Sequence, residues 1–301
     1  MSDQVTIDDT FAEAFPMRGT RLIITAIDQE LADIAAGEFC GNASSVIGCD
    51  AEVGIESLVD AERTPDGRPG VSVLAFAFDK ASLEKAVTAR VGQNVLTCPT
   101  TACFSGLDAD VKKDRIKVGA QLRFFGDGYQ FSKKLGDRRY WRVPVMDGEF
   151  LCEDVVGTTK GIGGGNLLVV GRSQRETLAA VRAAVAAIND VPDVIMPFPS
   201  GIVRSGSKVG SKYKPLKAST NEKWCPSLRG QTESVLKDGE QAVYEIVMDG
   251  LSETAIRSGM SAGLKAAASS PGVMRISAGN YGGKLGPHHF HLHQLESDSE
   301  G

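Results

Sequence analysis

A chain of 301 residues with 42% hydrophobic and 24% charged content has the composition of a globular protein with a sizeable core. Its pattern predicts an α+β fold of two lobes related by an internal repeat. A strand–helix–strand pattern of hydrophobicity recurs four times along the sequence. Between the units lie hairpin-like stretches, which suit antiparallel strands.

The first unit runs from Arg21-Leu22-Ile23-Ile24-Thr25-Ala26, through a helix starting near Asp28, to a strand at Ser45-Val46-Ile47-Gly48. The second runs from Val71-Ser72-Val73-Leu74-Ala75-Phe76, through a helix from Asp79, to Asn94-Val95-Leu96-Thr97. In its helix Leu83, Ala86, Val87 and Val91 follow the spacing of one buried face. Gln121-Leu122-Arg123-Phe124-Phe125 and Arg139-Tyr140-Trp141-Arg142-Val143 then read as antiparallel strands around a Gly-Asp-Gly turn and a basic loop. The third unit joins Leu167-Leu168-Val169-Val170 to Val194-Ile195-Met196 through a helix opened by the capping box Ser173-Gln174-Arg175-Glu176. Leu178, Val181, Val185 and Ile188 would line its inner face. The fourth starts at Val243-Tyr244-Glu245-Ile246-Val247-Met248, passes a helix over 252–268 with Ile256, Met260 and Leu264 inward, and ends at Val273-Met274-Arg275-Ile276.

Two such units per half suggest a βαββαβ sandwich in each lobe, the ferredoxin-like arrangement. A doubly wound parallel sheet is the competing reading, since β-α-β units build that fold too. The boundary is placed near residue 148, ahead of Gly161-Ile162-Gly163-Gly164-Gly165, giving an N-terminal lobe at 1–148 and a C-terminal lobe at 149–301.

The net charge of −5 and the lack of a long basic block argue against nucleic acid as partner. Apolar runs such as 71–78 are too short to span a bilayer. The start, Met1-Ser2-Asp3-Gln4, has neither the basic region nor the apolar core of a secretion signal, so a cytoplasmic location is expected. Six cysteines without a C-x-x-C pair read as reduced thiols, not as a zinc cluster.

Glu245 is the residue that most invites a chemical explanation. It interrupts a β-branched and aromatic run, and alternation puts it on one face with Val243 and Val247. Burying an unpaired carboxylate is costly, and desolvation favours the protonated form that a general acid needs. A surface ion pair on an edge strand is the plainer reading. The glycine-rich stretch Gly279-Asn280-Tyr281-Gly282-Gly283-Lys284-Leu285-Gly286 lacks the G-K-S/T of a phosphate loop. It is a tight turn, or a bare backbone that a flat ligand can approach. Ser205, Ser207, Lys208, Ser211 and Lys212 punctuate a loop suited to an anionic ligand tail, or simply to solvent. His288, His289, His291 and His293 cluster near the end of the chain. In an extended segment the last three share a face that could hold zinc, but no Cys or Asp completes a site. No serine or cysteine shows the setting of an activated nucleophile.

Five segments, in order, resemble one family. They are Asp9-Thr10-Phe11-Ala12-Glu13-Ala14-Phe15, Thr64-Pro65-Asp66-Gly67-Arg68-Pro69-Gly70, Phe124-Phe125-Gly126-Asp127-Gly128-Tyr129-Gln130, the 207–212 loop and the 276–286 stretch. All are similar to formylmethanofuran:tetrahydromethanopterin formyltransferases, and the resemblance spans nearly the whole chain. It implies two ferredoxin-like lobes and formyl transfer between methanofuran and tetrahydromethanopterin, with no metal. It also implies that the family's catalytic glutamate, in a Tyr-Glu-Ile-Val strand, maps onto Glu245. Pro287-His288-His289-Phe290 departs from the family pattern, whereas His291-Leu292-His293 is similar to it. The charge of −5 is milder than in methanogen members and hints at a methylotrophic-bacterial relative, the transferase subunit of a formyltransferase/hydrolase complex. Self-association into a homo-oligomer is expected as well.

Formyl transfer between two amines passes through a tetrahedral carbon bearing a developing oxyanion. It needs both substrates held together and a manager for the protons, but no covalent enzyme intermediate. Glu245 is the expected acid. Asn280, Gly282 and Gly283 are candidates to orient substrates, and Ser205, Lys208, Ser211 and Lys212 to bind carboxylate-bearing tails. A metal hydrolase using the C-terminal histidines and a non-catalytic carrier-binding module are the alternative classes.

Overall fold

The computed structural model describes residues 5–108, 114–206 and 208–297. Met1 to Gln4 and the loop residue Ser207 lie outside the described residues. The chain divides into two compact units, one formed by Met17–Gly161 and the other by Met1–Pro16 with Ile162–Gly301. They are called the N-terminal and C-terminal lobes below.

In the N-terminal lobe the order is strand (17–25), helix Gln29–Cys40, strands Glu52–Val59 and Gly70–Ala77, helix Lys80–Arg90 and strand Ala102–Ser105. Gly70–Ala77 pairs antiparallel with both Glu52–Val59 and the first strand, and the first strand pairs antiparallel with Ala102–Ser105. This βαββαβ sandwich rules out the parallel alternative. Each helix is opened by an aspartate, Asp28 accepting from the Leu31 amide at 2.9 Å and Asp79 from the Ser82 amide at 2.8 Å. Ala32, Ala35, Ala36 and Phe39 of one helix and Leu83, Ala86 and Val87 of the other pack on Leu22, Ile24, Val71 and Val73.

Three sequence expectations in this lobe are corrected. Residues 45–48 form a turn, and the strand follows at Glu52–Val59; buried Glu52 accepts the Val46 amide at 2.9 Å and so holds that turn. Residues 94–97 prolong the preceding helix as a wide turn at Val91–Val95, because Val91 and Val95 both face the core, and the strand comes at Ala102–Ser105. Residues 121–125 are helical, in the short helix Gly119–Leu122 and the 3-10 turn Arg123–Gly126. Phe124 and Phe125 are both exposed, so this run has no alternating buried face to hold it as a strand. The hairpin is instead Phe131–Leu135 with Arg138–Val145, closed by the two-residue turn Gly136-Asp137. Arg138–Val145 continues the pairing to Gly148–Glu153, which lies parallel to Ala102–Ser105.

The C-terminal lobe repeats the plan. Strand (162–171), helix Gln174–Asn189, strands Val194–Ile195 and Ala242–Gly250, helix Glu253–Ala268 and strand Val273–Ser277 follow in order. The sheet order is Val194–Ile195, Ala242–Gly250, 162–171, Val273–Ser277, all antiparallel, with Thr6–Ile7 parallel at the last edge. Ser173 and Ser252 cap the two helices. Ile256, Met260 and Leu264 are buried as expected. The inner face of the first helix is carried by Thr177, Ala180, Val181, Ala184 and Ile188, with Leu178 and Val185 only half-buried. His288–His291 pairs antiparallel with Phe11–Ala14, so the chain's early segment is built into the C-terminal lobe.

Among the described residues no helix is long and apolar enough to cross a membrane. All six cysteines are free thiols.

Candidate active site

Leu167, Val169, Ile246 and Met248 turn toward the helices and form the C-terminal core. Alternation sends Glu245 to the opposite face of the sheet, beside its cross-strand partner Leu168. Glu245 is only 5% exposed, and the long connection between Val194–Ile195 and Ala242–Gly250 lies over it. Val203 fastens that connection by a two-way backbone bridge to Glu245, with N···O distances of 2.7 and 3.0 Å.

The result is a small cleft of about 40 Å³. Leu168, Val243 and Glu245 form its floor; Arg204, Ser205, Gly206, Thr220, Asn221, Trp224 and Cys225 are among the residues of its wall. Trp224 is backed by a cation, since the Arg275 guanidinium lies 5.1 Å from its ring centroid. Arg275 is itself fixed by two 2.7 Å bonds to buried Glu240, one of 2.8 Å to Asp8 and one of 3.0 Å to the Val235 carbonyl. Burial works to raise the Glu240 carboxyl, but its bonds to Arg275 prevail and hold it below the ordinary glutamate range.

The other sequence-predicted residues fall into three places. Ser205 lies in the cleft wall. Lys208, Ser211 and Lys212 lie on or beside a two-stranded ribbon, Lys208–Val209 with Ala218–Ser219. There Lys208 Nζ is 2.6 Å from Glu222, and this hydrogen bond draws the Glu222 carboxyl below its usual range. Ser211 Oγ accepts the Tyr213 amide at 3.0 Å, and Lys212 is exposed.

Asn280, Gly282 and Gly283 form a loop around Glu13. Glu13 is 2% exposed, and its carboxylate accepts backbone N–H groups from Tyr281 at 2.6 Å, Gly283 at 3.1 Å, Gly286 at 2.9 Å, and Leu285. Burial alone would raise this carboxyl; the amides outweigh burial and hold it below the ordinary value. The Gly282 amide donates to the Asn280 side chain at 3.2 Å, and Asn280 donates to Thr10 Oγ1 at 3.0 Å and the Phe11 carbonyl at 3.1 Å. The loop's amides are thus engaged within the lobe. Gly282 and Gly283 adopt φ of +68° and +76°, the left-handed backbone that favours glycine.

The histidines are dispersed. His288 Nδ1 lies 3.3 Å from Glu253, His289 and His291 flank the Phe11 ring at 4.7 and 5.2 Å, and His293 falls on the helix Leu292–Ser297. The expected shared face of His289, His291 and His293 is therefore broken where the strand ends. Among the described residues no group of three or more His, Cys, Asp or Glu is placed to hold a metal ion.

Sequence reasoning missed Asn221, Trp224 and Cys225 in the cleft, and gave Glu13 no role. Phe11-Ala12-Glu13-Ala14-Phe15 carries the signal that singled out Glu245, a lone carboxylate in an apolar run. Trp224 is one of only two tryptophans in the chain, but nothing local ties it to Arg275 or Glu245.

Fold and site together define a class: an α+β protein of two ferredoxin-like lobes, with a buried carboxylate at the floor of a cleft in one of them. Residues 1–145 match the family model described as "Formylmethanofuran-tetrahydromethanopterin formyltransferase", and residues 148–295 match the one described as "FTR, proximal lobe". The chain belongs to the formylmethanofuran–tetrahydromethanopterin formyltransferase family and is a formyltransferase.

It is similar to the Methylobacillus flagellatus protein of that name, with 56% identity over 97% of this chain and 98% of the relative. It is 49% identical, over 97% of this chain and 96% of the relative, to a Methylorubrum extorquens protein named as a subunit of the formyltransferase/hydrolase complex. Two solved structures share the fold. The enzyme from Methanosarcina barkeri has a TM-score of 0.91 and 48% identity, covering 98% of this chain and 99% of that one. A chain of the Methylorubrum extorquens formyltransferase/hydrolase complex, crystallised with methylofuran, has a TM-score of 0.92 and 48% identity, covering 96% of each.

Proposed function

We propose that Glu245 manages protons while a formyl group passes directly between the 5-formyl form of tetrahydromethanopterin and the primary amine of methanofuran, a step of one-carbon metabolism. The acceptor nitrogen adds to the formyl carbon, giving a tetrahedral centre whose oxygen carries the developing charge. Glu245, acting in its protonated form, donates toward that oxygen or toward the departing nitrogen; the carbonyl then reforms as the C–N bond to the donor breaks. The departing nitrogen leaves with a proton, and the proton shed by the acceptor nitrogen restores Glu245. No covalent enzyme intermediate is required.

The observation that carries this reading is the seating of Glu245. It lies on the face of the sheet turned away from the helices, 5% exposed, at the floor of a cleft whose wall includes Ser205, Asn221 and Trp224. Desolvation in such a place favours the protonated carboxyl. Ser205, with Lys208, Ser211 and Lys212 on the ribbon, are the proposed contacts for carboxylate-bearing carrier tails. Asn280, Gly282 and Gly283 are proposed to act through the exposed surface of their loop, where a Cβ at Gly282 would meet nothing within 4 Å. The same reading includes a cytoplasmic location and self-association. By analogy with the Methylorubrum extorquens relative, it also includes assembly with hydrolase subunits. It keeps residue 148 as the boundary between the two halves of the sequence.

Formyl exchange with both carriers, measured across a pH series, tests the mechanism. Glu245→Gln is expected to lose on the order of 10²–10⁴ in rate while still binding both carriers. Turnover near wild type would overturn the assignment.

A further inference from the structure

Three of the family-like segments, around residues 9–15, 208–212 and 276–286, converge in the C-terminal lobe. Glu13 gathers the glycine loop from both sides: Oε2 accepts the Tyr281 and Gly283 amides, and Oε1 accepts those of Leu285 and Gly286. Asn280 ties the same loop to Thr10 and Phe11. With its backbone fixed in this way, Tyr281 presents its phenol oxygen to the Val209 amide, which donates to it at 2.9 Å.

Val209 belongs to the ribbon, and the ribbon leads directly into the cleft wall. Val209 pairs with Ala218, the Gly210 amide donates to the Lys217 carbonyl at 2.8 Å, and Ser219 Oγ donates to the Gly210 carbonyl at 2.7 Å. Lys208 reaches across to Glu222 at 2.6 Å. Thr220, Asn221, Trp224 and Cys225, which follow the ribbon, line the cleft over Glu245. A run of hydrogen bonds therefore leads from a buried carboxylate on an early strand to the ribbon, and the chain continues from Ser219 into the wall of the cleft.

We propose that Glu13 and Tyr281 are positioning residues for formyl transfer: Glu13 fixes the glycine loop so that the Tyr281 hydroxyl latches the ribbon and sets the cleft wall over Glu245. This rests on the reading of Glu245 as the catalytic acid. A wall held in place excludes water and keeps the two carriers in register, which is where most of the rate of a direct transfer arises. The amides of Tyr281, Gly283, Leu285 and Gly286, satisfied by Glu13, serve this purpose from the inner side of the loop. Tyr281 is the part of the loop that reaches outward, and its phenol is the connection that a single substitution can cut without disturbing the Glu13 cradle.

The test compares Tyr281→Phe and Glu13→Gln with the wild-type full chain. Amide hydrogen exchange of the 208–225 segment and steady-state formyl transfer are read side by side. Tyr281→Phe is expected to unfold at the wild-type temperature, to exchange the Val209 amide roughly tenfold faster, and to lose roughly tenfold in kcat/KM. Glu13→Gln is expected to loosen the 281–286 amides as well. Unchanged Val209 exchange in Tyr281→Phe would overturn the latch, whatever the activity. Faster exchange with unchanged kcat and KM would show a latch that positions nothing, and would also overturn the proposal. Glu245→Gln, assayed in parallel, separates the two ideas: if it stays active, the reading of the cleft fails, and the Val209 exchange still reports on the latch by itself.

Discussion

The two lobes share one scaffold and treat one position on it in opposite ways. Ser72 and Glu245 pair with Ile23 and Leu168 on the first strands of their sandwiches. Each lies the same distance in sequence ahead of the next helix cap, Asp79 or Ser252, and is followed by a core residue, Val73 or Ile246. In the N-terminal lobe this place is closed: Ser72 Oγ donates to Glu56 at 2.7 Å, and Arg21 grips the same carboxylate with two 2.6 Å bonds. In the C-terminal lobe the carboxylate itself stands there. The residue matching Arg21 is Asn166, which is engaged with the backbone of Gly164 and Gly279.

The connections differ accordingly. Between Glu52–Val59 and Gly70–Ala77 the N-terminal lobe has only a short turn, where Asp66 binds Thr25 and Arg68 at 2.8 Å each. The same connection in the C-terminal lobe is long and supplies the cleft wall. The two lobes thus differ at one position of a shared scaffold, a serine bonded into an ion pair in one and a buried glutamate beneath a longer connection in the other.

Substitutions at the paired positions would break or sharpen this contrast. The largest difference should be in catalysis. Glu245→Gln is expected to cost about 10²–10⁴ in transfer rate, while Ser72→Ala leaves kcat unchanged in the same exchange assay. Arg21→Met should act on stability alone. Taking the guanidinium from the buried Glu56 side chain, which is 8% exposed, should cost about 3 kcal/mol in denaturant unfolding without lowering the activity of the folded enzyme. Ser72→Ala should cost about 2 kcal/mol in the same unfolding measurement, the value of one hydrogen bond to a charged carboxylate.

The finest effect is in pH. Glu13 is held below the ordinary glutamate value of 4.5, so its contribution is complete above that pH and is lost as pH falls through the lower folded-state value. Glu153 in the N-terminal lobe is shifted the other way, chiefly by burial, so its contribution is present at low pH and lost as pH rises through its raised value. Melting curves between pH 3 and 6 on the order of one unit apart should therefore separate Glu13→Gln, which flattens the acid side, from Glu153→Gln, which flattens the side above 4.5.

How much was legible in the sequence follows the same division. Both strand–helix–strand units of the C-terminal lobe stand out because their strands are apolar and their helices are capped by Ser173 and Ser252. The second and fourth strands of the N-terminal lobe do not. Glu52, Gly54 and Glu56 interrupt the apolar pattern of one, and its buried carboxylates depend on partners far away in sequence or on a turn. Val91 and Val95 carry helical spacing past the end of the preceding helix and obscure the other. Glu245 could be singled out because a lone carboxylate in an apolar strand demands an explanation. The wall of its cleft could not, since Trp224 and Asn221 sit in a stretch with no period and are placed by Arg275 and by the ribbon.

The bond from Gly286 to Glu13 joins residues 273 positions apart. During synthesis the N-terminal lobe, 17–161, is complete long before this bond can form, and its strands pair mainly with near neighbours in the chain. Loop closure over so long a span is slow. The carboxylate of the early strand therefore meets the amides that satisfy it only when nearly the whole chain has been made.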